Sequence, residues 1–126
     1  MRKRLAALER GLARVERAPV PEALHELRIA SRRLRAALRH LGPCLPREPA
    51  KTVREAASHV ARLMGEARDL DILIENVAPS AGRKGSPLAL LLKRFEAQRQ
   101  KKLKKALGPA RLLRRRLPGW ERRLAG

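Results

Sequence analysis

The chain has 126 residues, with 31 lysines and arginines against 12 aspartates and glutamates and a net charge of +19. Its single cysteine, Cys44, excludes a disulfide framework within one chain and a cysteine-based metal site. No apolar run approaches the roughly 18 residues of a membrane span. Leu, Ile, Val and Phe still make up about a quarter of the residues, enough for a folded domain. The two aromatics, Phe95 and Trp120, leave the core to leucine and alanine, which points to helices packed on helices.

Prolines and glycines divide the chain into five predicted helices and no strand, an all-α antiparallel bundle of four to five helices in one domain over 1–126. The first covers residues 2–17, with Leu5, Leu8, Leu12 and Val15 interrupted by Glu9, Arg10, Arg14 and Glu16. That is an amphipathic helix and not a signal peptide, so a soluble, cytoplasmic protein is expected. The second begins at Pro21, well suited to a first turn, and ends at Leu41, before Gly42 and Pro43. The third covers 50–77, with a bend expected near Gly65. A polar loop with Pro79, Gly82, Gly85 and Pro87 follows, then a fourth helix over 88–107. Gly108 and Pro109 are expected to break it, leaving a short fifth helix over 110–117 that stops at Pro118 and Gly119.

The second helix carries the strongest signal. His25, Arg28, Arg32, Arg35 and Arg39 recur at steps of three and four, within an arc of about 80° at 100° per residue. Leu24, Leu27, Leu34, Leu38 and Leu41 line the adjoining side and anchor the helix. Arg33 and His40 point elsewhere. No acidic residue occurs between Arg28 and Arg47, whereas ordinary exposed helices mix signs. A row of unquenched cations fits an extended polyanion, above all phosphate.

The third helix holds the only two aspartates, Asp69 and Asp71, about 200° apart and so unable to chelate one metal together. Asp71 falls on the apolar side made by Val53, Val60, Met64 and Ala67. A carboxylate there needs a partner, either Arg68 or an arginine of the second helix. Gly65, in mid-helix, suggests a close approach of two helices. In the fourth helix, apolar at Leu88, Leu91, Leu92, Phe95, Leu103 and Ala106, Arg99 and Lys102 fall inside the stripe. They are candidates for the same ligand, because an inward cation meets an anion or lines a wet channel. His59 is expected to pair with Glu55, and His40 to cap the second helix.

Two blocks carry a family resemblance. HELRIASRRLRAAL (25–38) resembles the His-x-x-Arg-x-x-x-Arg-Arg-Leu-Arg block of the CHAD family, the conserved histidine α-helical domain. RLMGEARDLDIL (62–73) resembles its Leu-x-Gly-x-x-Arg-Asp-x-Asp block, with Met64 between Leu63 and Gly65. The resemblance implies an all-helical domain that binds inorganic polyphosphate in a basic groove or channel. His25, Arg28, Arg32, Arg33 and Arg35 would be the binding residues of the first block, and Arg68, with Asp69 and Asp71 in structural pairing, those of the second. The helical row adds Arg39. Family domains contain two similar halves, each with its histidine block, and this chain has one. The resemblance therefore implies a half-domain and a homodimer that rebuilds the pair, near polyphosphate granules or a polyphosphate-metabolising partner enzyme.

Two other function classes compete. A net charge of +19 alone suggests a basic helical protein that binds nucleic acid non-specifically, but single-stranded recognition usually stacks bases on aromatics. An enzyme acting on phosphate chains is not expected. The chain has neither a Gly-x-x-x-x-Gly-Lys phosphate loop nor a carboxylate cluster for Mg²⁺. The Glu-x-Glu-x-Lys signature of the triphosphate tunnel enzymes often fused to CHAD modules is also missing. No cofactor and no metal are expected.

Overall fold

A computed structural model of the chain describes residues 1–125. They are 90% helical, with no strand among them. The four helices are α1 (Arg2–Arg17), α2 (Pro21–His40), α3 (Arg47–Val77) and α4 (Pro87–Ala125). Each helix packs on the next and α4 returns to α1, closing an all-α bundle. Short connections make sequence neighbours antiparallel. Two of them contain single 3₁₀ turns, Gly42–Cys44 and Ala78–Ser80.

The core obeys one rhythm. Buried positions step by three and four: Leu5, Leu8, Leu12 and Val15 in α1, and Leu24, Leu27, Ser31, Leu34 and Leu38 in α2. In α3 they are Ala50, Val53, Ala57, Val60, Met64, Ala67 and Asp71. In α4 they are Leu103, Ala106, Ala110, Leu113, Leu117, Trp120 and Leu124. This is the seam of coiled-coil-like bundle packing. Ser31 interrupts the α2 stripe, and its hydroxyl donates to the carbonyl of Ala57 in α3 at 3.3 Å, so it leaves no unsatisfied donor.

Three expectations about the helices are corrected. Helix α3 starts at Arg47 and not Ala50, because Pro49 falls in the first turn, where the missing N–H is no loss. The expected fourth and fifth helices are one: α4 passes through Pro109 and Pro118. A proline inside a helix costs about 3 kcal/mol. Beyond Pro109, however, Leu113, Leu117, Trp120 and Leu124 are all buried, each contributing roughly 1.5–3 kcal/mol, and the uninterrupted stripe prevails. Gly65 meets no helix, since a Cβ there would have nothing within 4 Å. The close approach lies at Gly11 instead, where a Cβ would come within 3.3 Å of Leu27 Cδ1 and 3.4 Å of its Cα.

The α3–α4 turn has the chemistry of a designed stop. Gly82 and Gly85 take positive φ values of 58° and 84°, a region that favours glycine. Ser86 Oγ donates to the Ala81 carbonyl at 2.7 Å and accepts from the Ala89 N–H at 3.1 Å, capping α4. Near this turn the apolar pattern outruns the core: Ile72, Leu73, Leu88, Leu90 and Leu91 are exposed, as is Leu41 at the end of α2.

Candidate functional site

Helix α2 is held so that its cations stand at an edge. Val20 is extended and Pro21 opens the helix, while the stripe from Leu24 to Leu38 is fully buried. His25, Arg28, Arg32 and Arg39 are exposed and Arg35 is half-buried. The Arg35 Nε donates to the Ser31 carbonyl at 3.4 Å, which fixes its direction beside the α3 contact made by Ser31. None of the five has a carboxylate within ion-pair distance among the described residues.

The row does not face open solvent alone. Arg35 and Arg39 form one wall of a groove of about 640 Å³ whose other wall is α3, with Arg54, Glu55, Ser58, His59 and Arg62. Arg54 also borders a hollow of about 260 Å³ beyond the end of α2, lined by Arg47 and Lys51 as well. Cations of two helices thus converge on one track, with Glu55 its single carboxylate. The expected His59–Glu55 pair is replaced by another: Nη2 of Arg62 lies 3.0 Å from His59 Nδ1. A guanidinium only donates, so in this contact Nδ1 is the acceptor.

Sequence reasoning missed the α3 wall. The signal was present in Arg54, Ser58 and Arg62, spaced i, i+4, i+8 and so on one face. It was weak because Glu55, which lines the same groove, directly follows Arg54 and breaks the run of cations.

The remaining candidates fall elsewhere. Arg99 is not free to meet a ligand from outside: its Nε pairs with Asp71, and its Nη2 donates to the Pro19 carbonyl. The Asp71 side chain is 1% exposed and that of Arg99 13%. The expectation that Asp71 pairs with Arg68 or an α2 arginine is therefore corrected: its partner is Arg99 of α4. Arg68 reaches Glu75 at 3.5 Å, and Lys102 reaches Glu66 at 3.2 Å on the surface. Asp69 is exposed. Arg33 lines a different groove, between α1 and α2.

Other carboxylates are occupied far from the track. Glu16 of α1 accepts from Arg114 at 2.8 Å and from Arg111 at 3.1 Å, both in α4. The Arg114 hydrogen bond holds the Glu16 carboxyl below its usual range, against the effect of burial and with help from Arg111. Glu26, bonded to Arg14, raises that guanidinium's pKa, and Glu22 adds to the field. Apart from the Glu55 carboxylate, the charged and polar groups of the α2–α3 track are guanidinium, imidazole, ammonium and hydroxyl, all able to donate to anionic oxygen.

Fold and site together define a class: an all-α bundle with a cationic groove between two of its helices. The chain belongs to the CHAD family, whose domain profile, the CHAD domain, matches residues 1–125. That family is associated with polyphosphate binding. Comparison with curated proteins and with solved structures gives no match. Among the described residues, no helix is long and apolar enough to cross a membrane.

Proposed function

We propose that this protein is a non-enzymatic binder of inorganic polyphosphate, and that the polymer lies along the α2–α3 groove. The observation that carries the reading is the convergence of Arg35 and Arg39 with Arg54 and Arg62, on a row continued by His25, Arg28 and Arg32 without a carboxylate partner. Guanidinium forks bind phosphate oxygens bidentately. Like charges held this close along one edge repel until a polyanion neutralises them. Such contacts read charge and spacing and nothing else. On this reading the protein works in the cytoplasm, at polyphosphate granules or in service of a polyphosphate-metabolising enzyme.

A homodimer completes the reading. The exposed Ile72, Leu73, Leu88 and Leu91 around the α3–α4 turn supply an apolar surface through which two copies join their grooves. The nucleic-acid alternative is less favoured: Trp120 is only 6% exposed, which leaves the half-buried Phe95 as the one aromatic on which a base could stack.

Titration with polyphosphates of defined length, with mass measurement of the complex, tests the proposal. Affinity is expected to rise with polymer length and to fall steeply with salt through counterion release. Arg35→Gln with Arg54→Gln, one from each wall, is expected to weaken binding by about tenfold or more, at one charge-assisted bond lost per residue, with an unchanged melting temperature. Polyphosphate should displace RNA at far lower phosphate concentration than the reverse. Length-independent affinity, or a double variant that binds as well as the parent, would sink the reading.

A further inference from the structure

The groove between α1 and α2 is a second site of different chemistry. It encloses about 620 Å³ and is lined by Arg4, Arg10, Arg14, Arg17 and Arg33, over a floor of Ala7, Gly11, Ala13, Ile29 and Ala30, with Glu26 the one carboxylate. Glu26 is bonded to Arg14, and Glu22 lies 3.7 Å from the same guanidinium. Arg4, Arg10, Arg17 and Arg33 have no ion-pair partner among the described residues. The two helices are drawn together at Gly11, against Leu27, so the floor is backbone, methyl groups and one isoleucine. The α2–α3 groove, by contrast, is lined entirely by polar and charged side chains.

We propose that the α1–α2 groove binds an organic phosphate, a phosphoryl chain attached to an apolar or planar body, of which a nucleoside triphosphate is the representative. The phosphates meet the free guanidiniums at the rim, and the organic body covers Ala7, Ile29 and Ala30. The volume is that of a small-molecule site, and an apolar floor with a few polar groups at the margin is the usual construction of one. An inorganic phosphate chain has nothing to place on such a floor. A planar base has, and guanidinium planes also stack on it. Arg33 thereby acquires a role outside the α2 row, from which its side chain diverges. The site is separate from the α2–α3 track and shares none of the residues lining it.

The test is calorimetry with ATP and with inorganic tripolyphosphate, at physiological ionic strength, on the full chain and two variants. Arg4→Gln with Arg17→Gln strips the rim using two exposed positions, and Ala30→Gln fills the floor. ATP is expected to bind more tightly than tripolyphosphate, although charge alone predicts the opposite order. Each variant is expected to weaken ATP by about tenfold while leaving the affinity for long inorganic polyphosphate within about twofold, the scatter of an unrelated surface change. Tripolyphosphate binding as tightly as ATP, or ATP affinity unmoved by both variants, overturns the proposal. The readouts are independent of the polyphosphate reading. Loss of long-chain binding in Arg35→Gln with Arg54→Gln, with ATP retained, supports two sites, and loss of both ligands together in either variant shows there is only one.

Discussion

At the scale of single residues, the Asp71–Arg99 pair has the largest consequence. Asp71 occupies a core position of α3, the next step of three and four after Ala67, and Arg99 continues the α4 stripe one step before Leu103. The end layer of the bundle is therefore ionic where the others are apolar. Arg99 also donates to the carbonyl of Pro19, two residues before α2 begins, so this one guanidinium ties α3, α4 and the α1–α2 link together. It fixes where the basic row starts. Asp71 Oδ2 has no partner of its own, which makes the carboxylate wholly dependent on Arg99. Arg99→Leu is expected to lower stability by about 3 kcal/mol, the cost of stranding a buried charge, seen as a fall in the urea midpoint at unchanged slope. Adding Asp71→Leu should restore most of the loss, because a buried ion pair exchanged for apolar groups is near neutral. A double variant as unstable as the single one would show that the link to Pro19, and not the stranded carboxylate, dominates. Glu16 illustrates the opposite, partly exposed case. Its folded pKa is lowered from 4.5 by Arg114 and Arg111, so its contribution is fully present above that value and is lost as pH falls through the lower folded pKa. Acid titration of stability should show a shallower decline below pH 4.5 for Glu16→Gln than for the parent.

Between elements, glycines and prolines act according to what they touch, and this is where sequence reading succeeded and failed. The bounds of α1 and α2 were legible because Pro19, Pro21, Gly42 and Pro43 act locally, through φ and a missing N–H. Those of α4 were not: the same residue type at Pro109 and Pro118 is overridden by a buried stripe whose regularity extends to Leu124. The row on α2 was legible from angle alone, whereas its opposite wall on α3 depended on which face α3 turns to α2, a tertiary fact. The partner of Asp71 was missed for the same reason, since Arg99 is 28 residues away. Gly65 and Gly11 separate the two kinds of information in one measurement. Gly65→Ala meets open space and is expected to stabilise by about 0.5–1 kcal/mol through helix propensity. Gly11→Ala gains the same propensity but sets its methyl 3.3 Å from Cδ1 of the buried Leu27, which must shift, so it should gain less than Gly65→Ala. Thermal unfolding of both variants decides. A Gly65→Ala variant less stable than the parent would show that α3 needs a glycine there for a reason other than space.

On the scale of the whole molecule, unequal helix lengths matter most. Helix α3 has 31 residues and α2 has 20, a difference of 11 residues or about 16 Å at 1.5 Å per residue. The far end of the α3–α4 hairpin therefore runs past the start of α2, and the core rhythm ends there at the Asp71–Arg99 layer. Beyond it Ile72, Leu73, Leu88, Leu90 and Leu91 are exposed, Leu90 at 58%. Apolar residues concentrated at one end of a chain carrying +19 are out of place on a free surface, and they offer an apolar region through which two copies can meet. On the proposed reading, joining two copies there would set two polyphosphate tracks on one assembly, and a long polymer engaging both would gain an effective-concentration advantage that a short one cannot. Leu73→Glu with Leu88→Glu removes apolar area from the surface of both helices and leaves the α2–α3 groove untouched. The variant is expected to sediment as a monomer, to bind short polyphosphates as the parent does, and to lose about 10²-fold of the affinity for long chains. A parent that sediments as a monomer with and without polymer, or a variant that keeps its long-chain affinity, assigns that affinity to a single groove and removes the dimer from the mechanism.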